Sequence, residues 1–258
     1  MNAAVVCVVL AAGRSRRMGF DKLAHWVGEA PIISRSLTNL VPLSVVVVIS
    51  PALVDVIKDM SSFVMPVVNA FPERGMTYSL KLAMPYVAAD TAFAVCLADV
   101  PLVTSKDVLR LERARAAAAV DVAFPVRRSQ PGHPVIFGPH ARGFVGSLPD
   151  GDTLRQLRDE PRLTRLRIDD ERQEPYLDVD TPDDIEQYTG HVIDVTPKTR
   201  GSNTLESFRR NDTSRPATIA AMRQNAVDAS LAQDEPTHWA VNHATAEYPS
   251  ISDNFDTT

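Results

Sequence analysis

The chain has 258 residues, of which 45% are hydrophobic and 23% charged, with a formal net charge of −5. That composition supports a sizeable core, in one α/β domain with extras or in two small domains, and the acidic balance speaks against a nucleic-acid binder held by phosphate contacts. The two cysteines, Cys7 and Cys96, lie in apolar runs with neither zinc spacing nor a disulfide framework, as core thiols of a reducing compartment do.

Residues 2–12 are apolar, too few to span a bilayer, and basic residues follow them instead of leading, the reverse of a secretory leader. The expectation is a soluble, cytoplasmic protein with no membrane contact. Short β-branched runs at 5–10, 45–49, 64–68, 92–97, 120–126 and 135–137 read as strands, and their near-continuous Val/Ile content indicates cover on both faces. Between them, residues 32–40, 52–60, 76–87 and 105–119 have helical length, with Thr104 or Ser105 available to cap the last. The alternation predicts a three-layer α/β domain around a mostly parallel sheet. From Gly190 onward the chain is rich in Thr, Ser, Asn, Asp, Arg and Pro, with one short helical segment at 217–231. Such a composition buries too little apolar surface to offset ordering entropy. Residues 1–189 are therefore expected to form the catalytic unit, and 190–258 a disordered or loosely docked tail.

The first strand breaks into "LAAGRSRRMGFDKL", residues 10–23. In an open parallel sheet, ligands bind beyond the carboxyl ends of the strands. Gly13 can adopt backbone angles closed to other residues, successive N–H groups in such a turn can form an anion nest, and Arg14, Arg16, Arg17 and Lys22 add positive charge around it. A triphosphate suits this cradle; a basic surface loop with a glycine turn is the plainer alternative. Neither Gly-x-Gly-x-x-Gly nor a Walker loop is present.

The spacing resembles the Leu-Ala-Ala-Gly-x-Ser-x-Arg-Met-Gly-x-x-Lys signature of the MobA-like nucleotidyltransferases, most closely the molybdenum cofactor cytidylyltransferases. Gly13, Ser15, Arg17, Met18, Gly19 and Lys22 fall on signature positions. The resemblance implies a Rossmann-like fold of the nucleotide-diphospho-sugar transferase type. It also implies that Leu10, Ala11, Ala12, Gly13, Arg14, Ser15 and Lys22 hold the nucleotide, with Lys22 and Arg17 stabilising charge on the triphosphate. Ala12 stands where the guanylyl branch usually has glycine, so CTP is the implied donor.

Three later segments extend the resemblance, which covers roughly residues 3–189 in the family's motif order. In "AVCLADVPLV", a strand delivers Asp99 to its carboxyl end, where a carboxylate needs solvent, a partner or a cation. Mg2+, which prefers a few carboxylates plus phosphate oxygens, is one such cation; capping of the next helix is the alternative. The family usually has glutamine where Val100 stands, before Pro101. In "YLDVDTPDDI", Asp180 takes the position of the family's second metal carboxylate. Thr181 to Asp184 also make a good helix start, but that does not account for Asp178 and Asp180 on a strand-like approach. "RGMTYSL" would place Ser79 near the base and ribose at a helix start, unless Ser79 merely caps the helix. "GHPVIFG" matches the segment lining the pterin side of the cleft, with Gly132, His133 and Pro134 as substrate contacts. No second histidine lies at ligand spacing from His133, which is read as shaping the cleft.

The implied reaction is transfer of CMP from CTP to the terminal phosphate of molybdenum-molybdopterin, with Mg2+ on Asp99 and Asp180, and with Lys22, Arg17 and Asp99 as catalytic residues. A molybdenum hydroxylase is the implied client. The alternatives are a GTP donor, another phosphorylated acceptor such as a sugar or isoprenoid precursor phosphate, or a non-catalytic cofactor chaperone. Retention of Lys22, Arg17, Asp99 and Asp180 argues against the last.

Overall fold

The computed structural model describes residues 5–13, 21–27, 29–60, 63–151, 153–172, 176–180, 183–185 and 188. Arg14, Ser15, Arg16, Arg17, Thr181, Pro182 and the whole of 190–258, with the helix expected at 217–231, lie outside the described residues. In chain order the elements are β1 (Val5–Ala11), β2 (Trp26–Val27), β3 (Ala30–Pro31), α1 (Ile32–Thr38), β4 (Ser44–Ile49), β5 (Val64–Val68), α2 (Gly75–Ala83), β6 (Ala92–Leu97) and α3 (Ser105–Ala117). They continue with β7 (Val122–Arg127), β8 (Gln130–Pro131), β9 (Val135–Phe137), α4 (Arg142–Val145), α5 (Leu154–Arg158) and β10 (Arg165–Asp169).

The main sheet has the order β10-β7-β9-β6-β1-β4-β5, with β8 paired to β7, and β2 and β3 form a separate hairpin. All neighbouring pairs on the path are parallel except those of β9, which runs against both β6 and β7. The strand side chains divide into two cores. Val5, Cys7, Val9 and Ala11 face one cluster with Ile32, Ile33 and Leu37 of α1 and Val108 and Leu111 of α3. Val8, Leu10 and Ala12 face the other with Leu80 and Ala83 of α2, Val145 of α4 and Leu154 and Leu157 of α5. This is the expected three-layer arrangement, and it explains the absence of polar alternation in β1: both faces are covered. Both cysteines are free and buried. Among the described residues no helix is long and apolar enough to cross a membrane.

Two expectations about elements need correction. Residues 52–60 form two 3-10 turns, Pro51–Leu53 and Lys58–Met60, and no α-helix. Leu53, Ile57 and Met60 are buried, but the β-branched Val54, Val56 and Ile57 weaken the helical preference of so short a segment. The helix expected to reach residue 87 stops at Ala83 and passes into a 3-10 turn containing Pro85, which lacks the N–H needed to continue it. Strand β10 has no apolar run: Arg165, Arg167 and Asp169 are exposed, as the edge of a sheet allows.

Thr104 caps α3. Its hydroxyl receives the Asp107 backbone N–H, and the Asp107 carboxylate accepts the Thr104 N–H. Asp107 also pairs with Arg172 at 2.7 Å, and Asp170 accepts from both Arg110 and Arg172. The chain leaving β10 is thereby tied to the start of α3.

Candidate active site

The chain passes from β1 outward through β4 and β5, then returns to place β6 on the other side of β1. The sheet therefore reverses direction between β1 and β6, and a crevice opens beyond their carboxyl ends. The Ala98 N–H donates to the Leu10 carbonyl at 3.1 Å, holding the two strand ends together, and Asp99 follows at once. Two residues not singled out from the sequence brace this turn. Ser36 of α1 donates its hydroxyl to the Ala98 carbonyl at 2.7 Å, and the Asn39 amide donates to the Pro101 carbonyl at 2.8 Å.

Asp180 arrives from the far end of the described chain. Residues 177–180 belong to no strand, contrary to the strand-like approach expected. They are held as a strap: the Val179 N–H donates to the Asp99 carbonyl at 2.8 Å, and the Val179 side chain is fully buried. Asp180 is oriented further by Asp184, whose carboxylate accepts the Asp180 N–H at 3.0 Å.

Lys22 joins the two carboxylates. It opens a 3-10 turn, Lys22–Ala24, capped by Asp21, whose carboxylate accepts the Leu23 N–H. Its Nζ donates to Asp99 Oδ2 at 2.9 Å and to Asp180 Oδ1 at 2.6 Å. The side-chain exposures are 11% for Lys22, 29% for Asp99 and 36% for Asp180, so the ammonium is the inner partner. Burial penalises its charge, but the field of Asp99 and the hydrogen bonds to both carboxylates outweigh that and hold its pKa above the ordinary lysine value. Asp178 is drawn upward by desolvation and by the negative charges of Asp180, Asp99 and Asp184, against one backbone hydrogen bond that lowers it.

This donor set fits a divalent cation of the magnesium type. Two hard oxygen ligands already converge on one positive charge, which stands where such an ion would be held. Among the described residues no group of three or more His, Cys, Asp and Glu could hold a metal alone. The remaining positions would fall to ligand oxygens and water, as is usual for Mg2+.

The remaining described candidates lie at the end of β1, on α2 and just before β9. Leu10, Ala11 and Ala12 are buried, with Ala12 packed into the α2-side core. Gly13 has no positive φ, so the special backbone angle expected of it is not used, and among the described residues no atom would meet a Cβ there within 4 Å. Ser79 sits in the second turn of α2, not at the helix start. It is buried, and it accepts a hydrogen bond at 3.0 Å from the fully buried Asn69 amide. Asn69, a polar residue closing an apolar strand run, was a legible signal that apolar patterning passed over. At the start of α2, Gly75 has φ +83°, and the Arg74 carbonyl and guanidinium bond Gly151 and Asp150.

On the other side of the cleft, Gly132 and Pro134 are buried and His133 is half-buried. A Cβ on Gly132 would lie 2.6 Å from Cε1 of Tyr176, so the strap's tyrosine occupies that space. Burial pushes the His133 imidazole pKa down, more than the nearby Asp99 and a hydrogen bond to the Val95 backbone raise it, and Arg158 also depresses it. His133 Nδ1 is buried without a hydrogen-bond partner among the described residues. The imidazole is thus a neutral wall of the cleft within the field of Asp99.

A comparison with curated proteins found no match. Solved structures do match. A homologue of Mycobacterium tuberculosis Rv0371c from Mycobacterium sp. strain JC1 is 25% identical with a TM-score of 0.62, the match covering 74% of this chain and 98% of that one. Rv0371c of M. tuberculosis H37Rv, solved in complex with manganese, is 21% identical with a TM-score of 0.55, covering 74% of this chain and 100% of that one. Molybdopterin-guanine dinucleotide biosynthesis protein A of Archaeoglobus fulgidus shares the fold at 17% identity and a TM-score of 0.56, covering 73% of this chain and 99% of that one. The sequence model of the MobA-like NTP transferase domain matches residues 7–168, which takes in the loop after β1 and Asp99 and stops short of Asp180. With that match spanning most of the chain, and the sheet and the strand-end aspartate arranged as described, the chain belongs to the MobA-like NTP transferase domain family and is a nucleotidyltransferase of that type.

Proposed function

We propose that this nucleotidyltransferase transfers CMP from CTP to the terminal phosphate of molybdenum-molybdopterin, releasing pyrophosphate and forming the cytosine dinucleotide form of the cofactor. The observation that carries the proposal is the convergence of Lys22, Asp99 and Asp180 beyond the carboxyl ends of β1 and β6. An oxygen of the acceptor phosphate forms a bond to the α-phosphorus as the bond from that phosphorus to the bridging oxygen of pyrophosphate breaks. The nucleophile is already an anion at neutral pH, so no strong general base is required, and the neutral His133 is consistent with that.

The chain's own part is to place charge and exclude alternatives. Backbone groups at Gly13 and the side chains of Arg14, Ser15 and Arg17 receive the triphosphate. Lys22 and Arg17 offset charge on the departing pyrophosphate, an electrostatic arrangement set before the reaction begins. Asp99 and Asp180 hold Mg2+, which when bound neutralises phosphate oxygens and orients them. The manganese complex of the similar M. tuberculosis protein is in keeping with a divalent ion. Ser79 contributes to the nucleotide side through α2. Gly132, His133 and Pro134 line the acceptor side. Cytosine follows from the Leu-Ala-Ala-Gly form of the loop. Residues 1–189 carry the transferase, and residues 190–258 are available to engage a molybdenum hydroxylase client. Two reduced core thiols favour a cytoplasmic setting.

The test is turnover of each of the four nucleoside triphosphates with molybdenum-molybdopterin and Mg2+, following pyrophosphate release. CTP should be strongly preferred. Equal rates with CTP and GTP would sink the cytidylyl reading, and turnover only with another phosphorylated acceptor would move the enzyme to a different substrate class.

A further inference from the structure

The Lys22 ammonium occupies the place between Asp99 and Asp180 that a divalent cation would need, because both carboxylates direct an oxygen at its single nitrogen. Its backbone is held independently of that contact. Asp21 caps the turn, the His25 N–H donates to the Lys22 carbonyl at 3.1 Å, the Ile32 N–H donates to the His25 carbonyl at 3.0 Å, and Leu23 is buried. The ammonium, on a four-carbon stem, can therefore leave the carboxylates by side-chain rotation alone, with the turn in place. Gly13 lies two residues past the end of β1, and among the described residues no atom comes within 4 Å of where a Cβ would stand there.

We infer that Lys22 is an exchangeable counter-ion for the Asp99–Asp180 pair: the ammonium and a divalent cation compete for the same oxygens, and metal entry releases Lys22 toward the phosphate side of the cleft. This rests on the reading of the pair as the metal site. The exchange has a functional logic. A metal arriving alone must displace an ammonium that is hydrogen-bonded to both carboxylates. A metal arriving with a triphosphate displaces the same ammonium onto phosphate oxygens. Metal and nucleotide thus load together, and neither carboxylate is left uncompensated beforehand.

Two measurements on the full-length protein test the exchange. First, Mn2+ alone is titrated into the parent protein and into Lys22→Met, with bound ion read by electron paramagnetic resonance. The methionine variant should bind at least roughly tenfold more tightly, since the competitor loses two charged hydrogen bonds and one alone corresponds to about that factor. Second, acylation of lysines in the parent protein by an amine-reactive reagent is mapped by mass spectrometry, with Lys106 as the internal reference. Lys22 should react slowly without metal and several-fold faster at saturating Mn2+, a change that a lysine merely near the site would not undergo. The second measurement stands even where Lys22→Met folds poorly. Mn2+ bound by the parent protein with Lys22 still protected, or bound equally well by a folded Lys22→Met, overturns the exchange and leaves the metal site standing. Failure of both proteins to bind Mn2+, with Asp99→Asn indistinguishable from them, overturns the metal site and the exchange together.

Discussion

Replacing Gly132 by alanine puts a methyl group where the ring of Tyr176 lies. The new Cβ would stand 2.6 Å from Cε1 and 2.9 Å from Cδ1 and Cζ, against an ordinary carbon–carbon contact of about 3.5–4.0 Å. The ring must retreat by about 1 Å. Gly132 itself is held, because its N–H donates to the Pro125 carbonyl at 2.9 Å. The displacement therefore falls on the strap that carries Val179 and Asp180. Overpacking of this kind costs about 1–3 kcal/mol, a fall in Tm of about 3–10 °C for a domain of this size. A shift of about 1 Å at a positioned group can cost on the order of a hundredfold in rate, so turnover should fall by more than the stability loss explains. Thermal denaturation and pyrophosphate release would be measured on Gly132→Ala, Tyr176→Ala and the double variant. Removing the ring should relieve the clash, so Gly132→Ala should cost little in the Tyr176→Ala background. An equal cost in both backgrounds would refute the contact, and unchanged turnover in a destabilised Gly132→Ala would refute the link from the strap to Asp180.

Asp99→Ala and Asp180→Ala should each lower turnover by more than roughly a hundredfold, since even the outer partners of metal ligands are worth about ten- to a hundredfold, while circular dichroism stays that of the parent; near-normal rates would remove that carboxylate from the mechanism. Asp170→Asn should cost about 1–2 kcal/mol at neutral pH by denaturant titration, a value kept low because Arg110 and Arg172 are partly solvated. The hydrogen bonds from Arg172, with the fields of both arginines, outweigh burial and hold the Asp170 carboxyl below the usual range. Its stabilisation is therefore complete above the unfolded carboxylate pKa and lost as pH falls through the lower folded value; parent and variant should converge in strong acid, and a difference that persists there would show that the charge is not responsible. A chain ending at Thr189 should fold and keep its turnover, whereas an insoluble product, together with a tail as protease-resistant as the core in the full-length chain, would place residues 190–258 within the folded unit.

Much of this protein follows from local pattern. A Val/Ile run without polar alternation has to be covered on both faces, so the parallel strands and three layers could be read from residues 5–10, 45–49 and 92–97. The loop after β1 and Asp99 just past β6 stood out as candidates because strand ends in such a sheet collect ligand-binding groups. Ser79 was expected at a helix start, whereas α2 already begins at Gly75 and carries Ser79 in its second turn. Strand β10 escaped because an edge strand needs little apolar surface, and its charges mimic a loop. What only the tertiary structure decided are the contacts between distant residues. Lys22 meets Asp99 across 77 positions and Asp180 across 158, and Tyr176 fills the space that Gly132 leaves. Sequence spacing specifies which residues share a strand or a turn, whereas the site depends on which strand ends the sheet order makes neighbours and on one backbone hydrogen bond, from Val179 to Asp99, that brings the strap across them.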